Sequence, residues 1–292
     1  MMKKIIVAKN IGFCYGVKRA INLAEKIVNE TTEKVYTLGP IIHNPQVVQK
    51  LEKRGLNVIN DINEITNGTL ILRSHGITIQ QLNLIKEKKI NVIDATCPFV
   101  KRAQNLVQEL KNDGYNIIIF GEKEHPEIQS LLSYAGEDAI VVEEISDIKK
   151  IPGTVKKAGV ISQTTQSKEK LKKFISKLSK KIKNLKVCNT ICAETIKRQK
   201  EAVSIARKVD LMFVIGGKNS ANTTRLAQIC KRVNRNTYHI ETSEELDFNL
   251  LRNRSKIGII SGASTPDNVI DDVIDKIKSF IYINKQLSNI FK

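Results

Sequence analysis

Three cysteines stand out in this sequence because the residues after them repeat. Cys14 and Cys97 are each followed four residues later by Lys-Arg-Ala, and Cys192 is followed five residues later by Lys-Arg-Gln. Apolar residues at helical spacing come next, so each cysteine is expected to open a helix. The chain has five cysteines and no export signal, which argues against a disulfide framework. Metal ligands, a catalytic nucleophile and reduced thiols remain as roles for them.

Two further sets of polar residues repeat downstream of the cysteines. In the first set an apolar strand leads into a glycine and then, four positions later, into His43, His125 or Ser220. These residues lie 28 or 29 positions after the cysteines, a register that chance rarely keeps. In the second set, "LILRSHG", "AGVISQTTQ" and "IGIISGAST", a β-branched strand ends in a serine, which aligns Ser74, Ser162 and Ser261. The separation between each cysteine and its serine increases from one repeat to the next, which is typical of loop insertions.

The elements that must position these residues form an α/β repeat. Each repeat reads helix, strand, polar loop, helix, strand, polar loop, which predicts parallel sheets with covering helices. Ligands of open α/β sheets lie beyond the carboxyl ends of the strands. We therefore expect an α/β fold of three pseudo-repeated units, with small parallel sheets in a trefoil around a central cluster cavity. The predicted boundaries are an N-terminal strand at 1–13, units at 14–96, 97–191 and 192–281, and a tail at 282–292.

Three converging thiolates with no fourth suit an iron–sulfur cluster that keeps one iron free of protein ligands. A catalytic zinc site, which also uses three protein ligands and an open position, is the competing occupant. Cys188 stands four residues before Cys192, but only Cys192 aligns with the Lys-Arg echo. Cys230 lies among apolar residues at helical spacing and is expected to be a buried small hydrophobe.

Nine motifs in this order resemble the hydroxymethylbutenyl diphosphate reductase (LytB) family: GFCYGV, GPIIHN, SHG, DATCP, HPE, SQTT, NTIC, GGKNSANT and GAST. The resemblance implies reductive removal of an allylic hydroxyl from 4-hydroxy-3-methylbut-2-enyl diphosphate, giving isopentenyl and dimethylallyl diphosphates. It implies a 4Fe-4S cluster, or a 3Fe-4S cluster after oxidative loss of the open iron, held by Cys14, Cys97 and Cys192.

The resemblance also implies a set of residues around the substrate. The substrate-binding residues would be His43, His75, His125, Thr164, Ser220, Ala221, Asn222 and Ser264. Imidazole, hydroxyl and amide donors suit a diphosphate, which offers many acceptor oxygens. Glu127 would supply the proton and Thr164 would relay it. Some members have Asn-Ser-Ser-Asn where this chain has Ala221 in place of the second serine. One hydroxyl donor is therefore missing, and only the backbone N–H of Ala221 is left to contact phosphate. His239 falls outside the repeats and is expected to be structural.

The composition limits the partners. The chain has 292 residues, 48 Lys and Arg against 30 Asp and Glu, and a formal charge of +18. Such a charge attracts anions, and since neither a G-x-G-x-x-G nor a Walker pattern follows a strand, electrons must come from outside. An acidic electron donor such as ferredoxin or flavodoxin is expected. With no membrane span and no signal peptide, the expected location is cytoplasmic.

Two alternatives belong to other classes of function. One is a hydro-lyase with an open-iron cluster, which would dehydrate its substrate without consuming electrons. The other is a basic nucleic-acid-binding protein with a structural metal. Dispersed basic residues, 5% aromatic content and the lack of a recognised binding signature argue against nucleic acid. The basic stretch 168–186 is expected to be one solvated helix on the second sheet, with Leu185 on its apolar stripe.

Overall fold

The computed structural model of the protein describes residues 3–290 and has an α/β fold with three four-stranded sheets. The strands are β1 (Lys4–Val7), β2 (Val35–Leu38), β3 (Leu56–Ile59), β4 (Thr69–Leu72), β5 (Asn91–Asp94), β6 (Asn116–Phe120), β7 (Ile140–Val142), β8 (Lys157–Ser162), β9 (Asn184–Cys188), β10 (Leu211–Ile215), β11 (Thr237–Ile240) and β12 (Lys256–Ser261). The helices are α1 (Tyr15–Glu30), α2 (Pro45–Glu52), α3 (Ile79–Glu87), α4 (Pro98–Asn112), α5 (Pro126–Ala135), α6 (Lys168–Lys181), α7 (Ala193–Ala206), α8 (Ala221–Val233) and α9 (Asp267–Ile290). None of the helices within residues 3–290 has the length and apolar character that crossing a membrane requires.

The three sheets share one strand order, and all their strand pairs are parallel. The first sheet runs β3-β2-β4-β5, the second β7-β6-β8-β9 and the third β11-β10-β12-β1. The predicted parallel α/β repeat is therefore confirmed, but each sheet has four strands where the sequence pattern indicated two. The missed strands are β3, β5, β7, β9 and β11, which are only partly buried and lack the continuous buried run of the inner strands.

The third sheet is completed by the start of the chain. Strand β1 pairs in register with β12, from Lys4 opposite Lys256 to Val7 opposite Ile259. The N-terminal strand predicted within 1–13 therefore occupies the same place in its sheet as β5 and β9 do in theirs. The strands of the first and second sheets lie inside 14–96 and 97–191, while the boundaries themselves stay a prediction.

The described chain divides into two compact units. The N–C unit contains the residues up to Cys14, His43–Pro45 and the chain from Ile196 onward, and it holds the third sheet. The middle unit contains Tyr15–Ile42 and Gln46–Thr195, and it holds the first and second sheets. In the N–C unit, helix α9 continues past the predicted tail boundary at 282 and packs Val273 and Ile277 into the core of the third sheet.

The basic stretch 168–186 is not one helix. Helix α6 ends at Lys181, and Leu185 belongs to β9, so the prediction of a single helix to 186 is wrong. The sequence Asn-Leu-Lys-Val-Cys alternates polar and apolar residues, which suits the edge of a sheet better than a helix. The rest of the expectation holds, because Leu171, Phe174 and Leu178 are buried and lysines cover the outer side of α6.

Stacking of two phenylalanines joins α6 to the second sheet. The rings of Phe174 on α6 and Phe120 on β6 are 4.6 Å apart between centroids and nearly parallel, and both side chains are fully buried. Replacing a buried phenylalanine by alanine removes the transfer free energy of its ring and leaves a cavity.

We expect Phe174→Ala to lower the free energy of unfolding by about 3 to 5 kcal/mol, measured by urea denaturation. The exposed Lys177 on the same helix provides the control, and Lys177→Ala should change the value by less than about 0.5 kcal/mol. Equal effects of the two substitutions would show that α6 does not depend on this stacking.

Candidate functional site

Each of the three aligned cysteines lies directly before a helix and is held by the same backbone hydrogen bond. The N–H groups of Cys14, Cys97 and Cys192 donate to the carbonyl oxygens of Ala263, Ser74 and Thr164 at 3.0, 3.0 and 2.9 Å. In each case the acceptor lies two residues beyond the last residue of the strand next to the edge: β12, β4 or β8. The helices α1, α4 and α7 then begin at the following residue, as the sequence predicted.

The Cys97 sulfur is approached closely by the first turn of α1. A Cβ atom added to Gly16 would lie 2.6 Å from Cys97 Sγ, which is closer than any side chain can come. Glycine at this position therefore lets the helix backbone reach the sulfur. All three cysteines are half-buried, so their sulfurs are accessible enough to bind a ligand.

The other two cysteines occupy different positions. Cys230 is fully buried in the core of the N–C unit, and desolvation raises the pKa of its thiol to about 12, as expected for a core residue. Cys188 is the last residue of β9, and its side chain packs partly against the core of the second sheet. Burial raises the pKa of the Cys188 thiol, which makes it a poorer source of thiolate.

The first set of polar residues keeps its register in the structure. His43, His125 and Ser220 each lie five residues beyond the end of β2, β6 or β10. His125 and Ser220 are the N-caps of α5 and α8, and His43 comes two residues before α2. These residues therefore stand at or beside helix N-termini, where backbone N–H groups and the helix dipole favour anions.

The second set is shifted from its predicted alignment. Ser162 and Ser261 are the last residues of their strands, whereas Ser74 lies two residues beyond β4. The structure makes Ser74 equivalent to Thr164 and Ala263, because these are the three acceptors for the cysteine N–H groups. The alignment of the three serines was wrong, since serine ends one strand pattern and begins the loop of another.

The corrected alignment reveals a residue that sequence reasoning missed. Three residues beyond strands β4, β8 and β12 lie His75, Thr165 and Ser264. His75 and Ser264 were predicted to bind substrate, whereas Thr165 was not. Its Oγ1 is buried and has no hydrogen-bond partner among the described residues, so it is available to a ligand. The sequence signal for it was the second threonine of "SQTT".

Glu127 and Thr164 form a buried pair in the middle unit. The Glu127 side chain lies in the first turn of α5 and is 1% exposed, so it is not the solvated surface residue common at helix starts. Thr164 donates to it twice, from its N–H to Oε1 at 2.6 Å and from its Oγ1 to Oε2 at 2.7 Å. Desolvation nevertheless raises the pKa of Glu127 to about 7. The carboxyl group can therefore hold or release a proton near neutral pH.

A chain of contacts links these residues to two cysteines. The rings of His75 and His125 meet edge to face at 5.5 Å between centroids, and His125 Nδ1 accepts the N–H of Glu127 at 3.1 Å. Thr164 binds Glu127 through its side chain and Cys192 through its carbonyl oxygen. At the other end, His75 follows Ser74, the acceptor for Cys97. The middle unit thus brings together five of the predicted site residues besides Cys97.

The N–C unit holds the other predicted residues. Ser264 Oγ donates to the carbonyl oxygen of His43 at 3.1 Å, which ties the loop after β12 to the loop after β2. Ser220 caps α8 by accepting the N–H of Thr223, and Ala221 is the first residue of that helix. The Nδ2 atom of Asn222 is buried and lacks a hydrogen-bond partner within residues 3–290. His239, outside this group, bonds the Gly216 carbonyl at 2.8 Å, in keeping with a structural role.

Sequence reasoning also missed the role of the arginines in the repeated Lys-Arg pairs. Arg198 on α7 is 3% exposed and donates to the carbonyl oxygens of Ser261 and Gly12, both at 3.0 Å. It thereby clamps the loop that carries Cys14. Arg19 on α1 does the same for the Cys97 loop, donating to the carbonyl oxygens of Asp94 and Thr96. The sequence signal for these arginines was the Lys-Arg pair that repeats after each cysteine. The arginine of the remaining pair, Arg102, is exposed.

The donor set of the site defines its chemistry. Three sulfur atoms at helix starts are soft ligands that suit iron–sulfur clusters or zinc. The convergence of the three cysteines on one cofactor remains a prediction. The loops of each unit carry hydrogen-bond donors, and the middle unit also has one buried carboxyl group; groups of these types can bind an anion and transfer a proton.

Comparisons with known proteins agree on one family. The family model described as LytB protein matches residues 5–278. The 4-hydroxy-3-methylbut-2-enyl diphosphate reductase of Geobacter sulfurreducens is 47% identical over 95% of this chain and 98% of its own length, and that of Trichlorobacter lovleyi is 45% identical over 94% and 97%. The structure of the E-1-hydroxy-2-methyl-but-2-enyl-4-diphosphate reductase from Plasmodium falciparum is 32% identical and covers 94% of this chain and 88% of that one, with a TM-score of 0.90. A structure of (E)-4-hydroxy-3-methyl-but-2-enyl diphosphate reductase, the terminal enzyme of the non-mevalonate pathway, is 44% identical and covers 95% of this chain and all of its own, with a TM-score of 0.70.

The arginine clamp can be tested with a matched pair of variants. Arg198→Ala should lower the free energy of unfolding by about 3 kcal/mol or more, because it leaves buried carbonyl oxygens without their charged donor. Arg102 is the arginine of the corresponding Lys-Arg pair after Cys97 but is exposed, so Arg102→Ala should cost less than about 0.5 kcal/mol. Urea denaturation of both variants measures the difference, and similar losses would argue against the clamp.

Proposed function

This chain belongs to the LytB family, and we propose that it is a 4-hydroxy-3-methylbut-2-enyl diphosphate reductase that acts in the last step of the non-mevalonate pathway. In this reaction the allylic C–O bond breaks, the oxygen leaves as water and a C–H bond forms at one of two carbons. Two electrons and two protons are consumed, and the products are isopentenyl and dimethylallyl diphosphates. The observation that carries the proposal is the match over nearly the whole chain at 47% identity, with each aligned cysteine held by one repeated contact.

The proposed cofactor is a 4Fe-4S cluster held by Cys14, Cys97 and Cys192. The local geometry fits such a group, because each cysteine directly precedes a helix, each is half-buried, and Gly16 has no Cβ that would collide with the Cys97 sulfur. Three thiolates leave one iron without a protein ligand. When bound, the cluster would supply single electrons and a Lewis-acidic iron for the substrate hydroxyl.

The diphosphate would be bound by the residues that follow the strands. His43, His75, His125, Ser220, Asn222 and Ser264 are the proposed donors, together with the backbone N–H of Ala221. Support comes from the buried Nδ2 of Asn222, which has no hydrogen-bond partner in the described part of the chain, and from the helix N-termini that begin beside His125 and Ser220. The buried Thr165 hydroxyl adds a donor of the same kind.

The proton would come from Glu127. Burial keeps this carboxyl group protonated up to neutral pH, and the Thr164 hydroxyl lies 2.7 Å from its Oε2. Thr164 can accept that proton while donating its own to the departing substrate oxygen, which makes it the relay. Both side chains are buried, which keeps bulk water from competing for the proton.

The proposed electron donor is an acidic carrier protein such as ferredoxin or flavodoxin. The net charge of +18 would speed its encounter with this enzyme. The proposed compartment is the cytoplasm, where the thiols would stay reduced until they bind iron.

Anaerobic measurement of iron, sulfide and turnover tests the function. We expect about four iron atoms and about four sulfide ions per chain, and formation of both products only when a reductant is supplied. Cys97→Ser should lose the metal and the activity, whereas Cys188→Ser, which changes another half-buried cysteine, should keep both. Product formation without reductant would identify a hydro-lyase instead.

A pH profile tests the role of Glu127. Because protonated Glu127 is the active form, kcat/KM should be level below pH 7 and fall about tenfold per pH unit above it. Glu127→Gln keeps the shape of the side chain but has no acidic proton, so kcat should fall by about 10² to 10⁴ and the limb near pH 7 should disappear. A Glu127→Gln enzyme that kept the wild-type profile would contradict this assignment.

A further inference from the structure

The outer face of helix α1 is an exposed, positively charged surface beside one of the proposed cluster ligands. It forms a shallow groove of about 480 Å³ lined by Tyr15, Lys18, Arg19, Asn22, Leu23 and Lys26, which we call the α1 face. Three of these residues are cations and none is acidic. An acidic protein would therefore meet an attractive field there, while a basic protein would be repelled.

Tyr15 gives the α1 face an apolar anchor. Its side chain is 64% exposed, although aromatic side chains of this size are normally more buried. Tyrosine and arginine are enriched at protein interfaces, where a ring surrounded by polar residues often contributes most of the binding free energy. The half-exposed Leu23 extends this apolar area along the helix.

The inner side of the first turn of α1 lies close to a sulfur atom. This turn contains Gly16, whose missing Cβ leaves the backbone in contact with Cys97 Sγ. No side chain of that residue separates the outer surface of the helix from the cysteine. Arg19 fixes this turn by its bonds to the carbonyl oxygens of Asp94 and Thr96, so a partner would bind a rigid surface.

An equivalent groove on α4 shows what is special about the α1 face. Its lining residues follow Cys97 at the same sequence separations at which the residues of the α1 face follow Cys14. They are Pro98, Lys101, Arg102, Asn105, Leu106 and Glu109. Proline replaces the tyrosine, glutamate replaces Lys26, and Lys101 pairs with Asp94. On the α1 face Lys26 likewise lies 3.9 Å from Glu30, so the grooves differ in the exposed ring and in the glutamate that lines the α4 groove.

We propose that the α1 face is the docking surface for the acidic protein that delivers electrons to this enzyme. The inference rests on the proposed reductase function. Each docked carrier would be oxidised by one electron, so two successive encounters would supply the two electrons that reduce one substrate molecule and release one water. The short path through the first turn of α1 is the entry route.

The test compares a protein reductant with a small one in anaerobic holoenzyme. The α1 variant is Lys18→Glu with Lys26→Glu, and the matched control is Lys173→Glu with Lys177→Glu, which makes the same charge change at exposed positions of α6. With reduced flavodoxin as the variable substrate at low ionic strength, the α1 variant should lose about tenfold or more in kcat/KM, and the α6 control less than about threefold. Turnover with dithionite and methyl viologen should stay within about twofold of wild type for both.

A second measurement does not depend on turnover. Titration of oxidised flavodoxin into each protein should show a Kd raised about tenfold by the α1 variant, and also by Tyr15→Ser, which leaves the charge unchanged. Addition of salt should weaken binding to wild type more than binding to the α1 variant.

Three results would overturn the docking surface. Equal losses in the α1 and α6 variants would show a general effect of net charge. Unchanged kinetics and Kd in the α1 variant would place the carrier elsewhere. Loss of turnover with the small reductant to the same extent would show that the lysines act on the site itself. Failure of the proposed function would be distinct, because wild-type holoenzyme would then not turn over with either reductant.

Discussion

The hydrogen bond from each cysteine N–H to the loop beyond the neighbouring strand is the constraint on which the candidate site depends. It occurs three times, at 2.9 to 3.0 Å, and its acceptor always lies two residues past the strand. Because the strands are parallel, their carboxyl ends share one edge of each sheet, and the polar loops stand at that same edge. The bond therefore fixes each cysteine beside the loop that carries residues proposed to bind the substrate, and a helix begins at the next residue.

Thr164 holds two groups of the candidate site, the carboxyl group of Glu127 and the backbone N–H of Cys192. The Glu127 carboxyl group is buried. Its burial disfavours the charged form, and the two hydrogen bonds from Thr164 reduce that cost without removing it. The same Thr164 accepts the N–H of Cys192 through its carbonyl oxygen. A shift of this loop would change the positions of the proposed proton donor and of a proposed metal ligand together.

Charge is divided between the outside of the molecule and the candidate site. The predicted diphosphate donors are imidazole, hydroxyl, amide and backbone groups and include no lysine or arginine, whereas lysines cover the exposed sides of helices such as α1 and α6. Surface charges act over about a Debye length of 8 to 10 Å and mainly affect the rate of encounter. Short, directed hydrogen bonds in a buried site determine which ligand stays. The two kinds of recognition therefore need different residues.

The sequence by itself determined the repeat, the parallel α/β class, the three aligned cysteines and the register of His43, His125 and Ser220. These features depend on the lengths of strands and helices, which the chain records locally in apolar periodicity. The strands β3, β5, β7, β9 and β11 escaped notice because they are only partly buried and lack a continuous apolar run, and Leu185 was assigned to a helix for the same reason. Only the tertiary structure showed that Ser74 corresponds to Thr164, that Arg198 bonds the loop before Cys14, and that Glu127 is buried. Each of these depends on contacts between residues far apart in the chain, such as the 37 positions from Glu127 to Thr164 or the 186 from Gly12 to Arg198. Burial and hydrogen bonding of this kind arise only when the sheets and helices pack together.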